Sequence, residues 1–100
     1  MKIHFRELNI QMTDVLRARL QRRLGLALGR FGARIDKVIV RLQEGEVPGG
    51  NRETRCQIDV RLLSRTVTAR DADADPAAAV NGAADRVSRS IARVLEREAS

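Results

Sequence analysis

Tryptophan and tyrosine are absent from the 100 residues, and Phe5 and Phe31 are the only aromatics. The core must therefore be aliphatic. Neither Phe falls where a surface base could stack on it, which argues against readers of single-stranded RNA that use aromatic platforms. Cysteine is nearly missing too. Cys56 stands alone, so no internal disulfide can form and a disulfide-stapled secreted domain is excluded. Apolar runs are only a few residues long, too short for a membrane span. The opening Met1-Lys2-Ile3-His4-Phe5-Arg6-Glu7 carries charge where a signal peptide needs its apolar stretch. These absences lead us to expect a soluble, cytoplasmic protein with no membrane partner.

Arginine is what the chain has in excess. Lys and Arg number 19 against 13 Asp and Glu, for a net charge of +6, and every base except Lys2 and Lys37 is Arg. The guanidinium is planar and grips phosphate in a bidentate fork, so a polyanionic partner is expected. A hydrophobic share of 43% is ordinary for a globular chain. At this length one core is the limit, so residues 1–100 are expected to form a single domain.

Ile3 and Phe5 alternate with Lys2, His4 and Arg6, the period of a half-buried strand. Thr13 is a good helix cap and Asp14 suits the positive helix end. Leu16, Leu20, Leu24, Ala27, Leu28 and Phe31 then recur at helical spacing, predicting an amphipathic helix near 13–31 that Gly29 and Gly32 weaken. Val38, Val40 and Leu42 mark a second strand, and Glu44 to Asn51 read as a long hairpin loop. Cys56, Ile58, Val60 and Leu62 give a third strand, and after a tight turn at Leu63-Ser64-Arg65, Thr66 to Arg70 give a short fourth. Asp75 as cap with Pro76 at the first helical position opens a second helix near 76–97. Its apolar stripe is Val80, Ala84, Val87, Ile91, Val94 and Leu95. The order β-α-β-β-β-α predicts an α+β two-layer sandwich: a four-stranded sheet with both helices packed on one face, like a double-stranded-RNA-binding domain.

The helices carry the charge pattern. Arg86, Arg89, Arg93 and Arg97 recur at spacings of three and four and line one ridge away from the apolar stripe. Arg19, Arg22, Arg23 and Arg30 share a flank of the first helix, with Arg17 on the other side of its stripe. The charges alone fit a solvated outer face as well as a nucleic-acid-binding one. Arg55 and Arg61 fall on the far face of the third strand and are expected to matter less.

Catalytic signatures are missing. A calcium loop starting at Asp71 would need Gly at its sixth position and Glu at its twelfth, where Pro76 and Gly82 stand. Asp71, Asp73 and Asp75 are better explained as a strand end running into a helix cap. His4 and Cys56 sit on opposite sides of the sheet by alternation, so they form no nucleophile pair. Gly25, Gly29 and Gly32 lack the Lys-Ser or Lys-Thr of a phosphate-binding loop. No catalytic residue, metal site, cofactor or small-molecule substrate is expected.

Several stretches, in order along nearly the whole chain, resemble the ribosome hibernation promoting factors, the family that includes the ribosome-associated inhibitor (protein Y). These are Lys2-Ile3-His4-Phe5, the helix start Thr13-Asp14-Val15-Leu16-Arg17, Phe31 with Ile35, and Asp75-Pro76-Ala77-Ala78-Ala79-Val80-Asn81. Asp85-Arg86-Val87, with Arg89 and Arg93 following, continues the pattern. Pro76-Ala77, Asn81 and Ser64-Arg65 depart from it. The resemblance implies a short-form hibernation factor that binds the small ribosomal subunit and its RNA in stress or stationary phase and occludes the messenger and transfer RNA sites. It places Arg17, Arg23, Arg86, Arg89 and Arg93 on the RNA; the charge ridges add Arg22 and Arg97. It also leads us to expect no C-terminal dimerisation domain. Two rival readings are a general structured-RNA-binding module and a protein-interaction domain with an acidic partner.

Overall fold

The computed structural model describes residues 1–100 as β1 (Lys2–Leu8), α1 (Asp14–Leu28), a 3₁₀ segment (Gly29–Arg34), β2 (Ile35–Glu46), β3 (Arg52–Leu62), β4 (Thr66–Asp73) and α2 (Pro76–Ala99). The strands form one sheet in the order β1-β2-β3-β4. β1 runs parallel to β2, which α1 makes possible as the crossover; β2, β3 and β4 are antiparallel neighbours. Asn9, at φ 56°, breaks β1 and redirects the chain toward α1, a left-handed position that asparagine tolerates.

Both helices cover one face of the sheet. Leu20, Leu24 and Leu28 of α1 and Val80, Val87 and Ile91 of α2 meet Val38, Val40, Ile58 and Val60 in one fully enclosed cluster. Ile3, Phe5 and Ala69 pack against its margin. The strand alternation therefore holds as expected. Ile39 tests the register most sharply, because it is only 3% exposed and yet lies outside that cluster. It sits on the open face between His4 and Asp59, sheltered by its polar neighbours.

Each helix begins as its sequence dictates. The Thr13 hydroxyl accepts from the Leu16 N–H, and Asp75 accepts from the Ala77 N–H ahead of Pro76. α1 stops at Leu28, where Gly29 and Gly32 tighten the chain into a 3₁₀ turn. The two helices run side by side, fastened by the Ser88 hydroxyl donating to the Ala27 carbonyl at 3.2 Å.

Three boundaries differ from the sequence reading, the first being that of the α-helix expected to run to near Phe31, which ends at Leu28. The β2–β3 loop is only Val47–Asn51, because Glu44, Gly45 and Glu46 continue the ladder opposite Thr54, Glu53 and Arg52. The ladder keeps these turn-forming residues in a strand, and Arg52, 2.8 Å from Glu44, adds an exposed ion pair across it. Gly49 and Gly50, at φ 99° and 80°, make the actual reversal. β4 likewise runs on to Asp73, since Ala72 and Asp73 still pair with Arg55 and Thr54.

Candidate nucleic-acid interface

The arginine ridge of α2 forms as the spacing predicts. Val87 and Ile91 are fully buried, which turns Arg86, Arg89, Arg93 and Arg97 outward, and all four are exposed. Arg89, Arg93 and Arg97 enter no ion pair with any carboxylate. Arg93 donates only to the Ser90 hydroxyl, at 3.3 Å. Arg86 is tethered more closely. Its guanidinium donates to the Arg70 carbonyl at 3.2 Å and stands 3.9 Å from the Asp71 carboxylate, so the ridge meets the sheet at β4.

On α1 the predicted residues separate. Arg22 and Arg23 are exposed and unpaired, and with Arg19 they edge a shallow groove that also contains Val15 and Leu26. Arg23 also faces Asn81 and Asp85 across the cleft between the helices. Arg17 lies apart. It is half-buried, donates to Glu7 at 2.8 Å, and lies 5.4 Å from the centre of the Phe5 ring. That side chain clasps α1 to β1, and a phosphate would have to compete with Glu7 for it.

The acidic triplet is engaged in local structure. Asp71 points inward, beside Gly82, and accepts from the Ala72 N–H. Asp73 accepts from the Asp75 N–H, and Asp75 caps α2. Cys56, 1% exposed, packs in the core. Burial, with the Asp71 carboxylate adding to it, pushes its thiol up to about 12, far from a reactive thiolate. No helix is long and apolar enough to cross a membrane.

Sequence reasoning missed the open face of the sheet. Arg6, Arg41, Arg55 and Arg70 line a concave depression of about 620 Å³ there. The alternation placed each of them outside the core, but only the strand order shows that they are neighbours. Within this face Asp59 binds Arg41, Gln57 and Thr68. Burial raises its carboxyl pKa, but those hydrogen bonds outweigh it and hold the group below the ordinary carboxylate range.

The arrangement offers guanidinium donors on two broad surfaces. Comparison with known proteins shows what the chain is similar to. A crystal structure of the Protein Y N-terminal domain from Thermus thermophilus matches with TM-score 0.75 and 26% identity, over 94% of this chain and 99% of that one. A ribosomal subunit interface protein from Coxiella burnetii shares the fold, with TM-score 0.80 and 13% identity over 96% of this chain and 99% of that one. No curated protein matches the sequence significantly. A family model described as Sigma 54 modulation protein / S30EA ribosomal protein matches residues 1–99. With that match running almost from end to end of a fold that these structures share, the chain belongs to the Sigma 54 modulation protein / S30EA ribosomal protein family, whose members are ribosome-associated modulation factors and not enzymes.

Proposed function

We propose that this protein is a cytoplasmic hibernation factor that binds the small ribosomal subunit and blocks the messenger and transfer RNA sites by occupying them. The observation that carries the reading is the exposed arginine ridge of α2, three of whose four members (Arg89, Arg93 and Arg97) enter no ion pair, on a chain of this family. Arg86, Arg89, Arg93 and Arg97, with Arg22 and Arg23 of α1, grip RNA phosphates through charge-assisted, often bidentate hydrogen bonds. Arg17 contributes least, because Glu7 already holds it. The rigid two-layer body then excludes other RNA by volume, and no chemical step is required. Recognition is of backbone and shape, since the helix layer presents no aromatic surface.

Co-sedimentation with purified small subunits tests the proposal. The protein should pellet with subunits at low salt, leave them at high salt, and resist competition by duplex RNA. Effective competition by duplex RNA would favour a general RNA-binding module. Complexes that survive RNase would favour an acidic protein partner.

A further inference from the structure

The sheet face turned away from the helices carries a row of charge that crosses every strand. Arg6 of β1 pairs in register with Arg41 of β2, Arg41 with Gln57 of β3, and Gln57 with Arg70 of β4. In the next row Gln43 stands beside Arg55. Strands lie about 4.8 Å apart, so Arg6 and Arg70 are separated by roughly 14 Å across the sheet.

We propose that this concave face is a second RNA-binding site, which grips phosphates of a strand other than the one held by the helix ridge. Its carboxylates leave the site basic. Glu7 and Asp71 border the depression, but they point to the helix side, toward Arg17 and Arg86. Asp59 and Glu53 each occupy one arginine, at 3.2 Å from Arg41 and 3.4 Å from Arg55. Arg6 and Arg70 enter no ion pair; Arg70 is instead braced by Gln57, whose side-chain oxygen accepts from it at 2.9 Å. A brace of this kind orients a guanidinium without neutralising it.

The lining selects among polyanions. Leu8 and Ala72 add apolar surface beside its guanidinium and amide groups, so charge is what selects the ligand. The depression has no aromatic wall against which a free nucleotide could bury its base. A phosphate backbone needs no such wall. A row of roughly 14 Å is long enough to meet more than one phosphate of a strand. The face also joins the ridge, because Arg86 of α2 bonds the Arg70 carbonyl at the β4 edge. The molecule is a slab 17 Å across its thinnest axis, basic on both broad sides and suited to lying between two RNA walls.

The inference takes its ligand class from the RNA-binding reading above, and its test is made on free RNA so that the two can fail separately. Isotope-labelled protein carrying Arg86→Glu, Arg89→Glu and Arg93→Glu, which silence the ridge, is titrated with a short oligouridylate. Amide resonances of Arg6, Arg41, Arg55 and Arg70 should shift and saturate. Adding Arg6→Ala and Arg70→Ala should lower the slope of log affinity against log salt by about 1.4. Should the ridge variant fail to fold, the wild-type chain serves, and open-face shifts must appear there beside those of the helices. Shifts absent from the open face would overturn the proposal. An acidic peptide such as polyglutamate that shifted the same resonances as strongly would overturn the assignment to RNA. Either failure counts against the open face alone and leaves subunit binding through the helices intact.

Discussion

Gly82 stands where α2 passes over the end of β4, and the Asp71 carboxylate fills the space that a methyl group there would need. Alanine at this helical position should gain roughly 1 kcal/mol of propensity, but its Cβ would collide with Asp71, at a cost of about 1–3 kcal/mol. Gly82→Ala is therefore expected to destabilise the wild-type chain and to stabilise a chain already carrying Asp71→Ala. Urea denaturation of the four proteins reads this change of sign directly. Cys56 makes a second residue-level prediction. Its thiol keeps its proton in the folded state up to about 12, whereas the unfolded chain loses it near the ordinary value of about 8.5. The unfolded state thus binds fewer protons above that ordinary value, and stability falls as pH rises between the two values. Cys56→Ala should flatten that alkaline decline. In the folded protein a thiol reagent should react with Cys56 only as fast as the chain unfolds; rapid reaction at about pH 8 would show that the residue is not buried.

At the scale of elements, the parts that local chemistry determines were legible in the sequence. Thr13, Asp75 and Pro76 announce helix starts because capping is a contact between near neighbours, and period-two alternation separates Val38 and Val40 from Arg41. The strand ends were not legible. Glu44 to Glu46 have turn-forming composition, but an antiparallel partner keeps them extended. The irregular register between Ile35 and Lys37 was also hidden. It lets Ile35 and Val38, three residues apart, face the same core, which a regular strand could not do. Removing a cap should show how much each start contributes. Asp75→Ala is expected to cost about 1 kcal/mol, and Thr13→Ala a similar amount. Chemical denaturation measures both, and a loss below a few tenths would mean that packing alone sets the helix boundaries.

For the whole molecule, charge and shape act together. The sequence exposes a helix ridge because its spacing is local, but it hides the open-face patch because Arg6, Arg41, Arg55 and Arg70 come from four strands. Topology alone makes them neighbours. Arg17 shows the converse: its position fits the RNA-binding set, yet Glu7, ten residues earlier, claims it. The central claim is that the α2 ridge grips small-subunit RNA. Each neutralised phosphate releases counterions, so affinity for the subunit should fall on the order of a hundredfold or more between low and moderate salt. The most direct test is co-sedimentation with small subunits across a salt series, comparing wild type with a chain in which Arg86, Arg89 and Arg93 are all changed to Glu. All three are exposed, so the variant should keep its fold and helix content. The account predicts that it fails to pellet with subunits at salt where wild type still pellets, and that any binding left at low salt falls less steeply as salt rises. A folded triple variant that still bound with the wild-type salt dependence would contradict it.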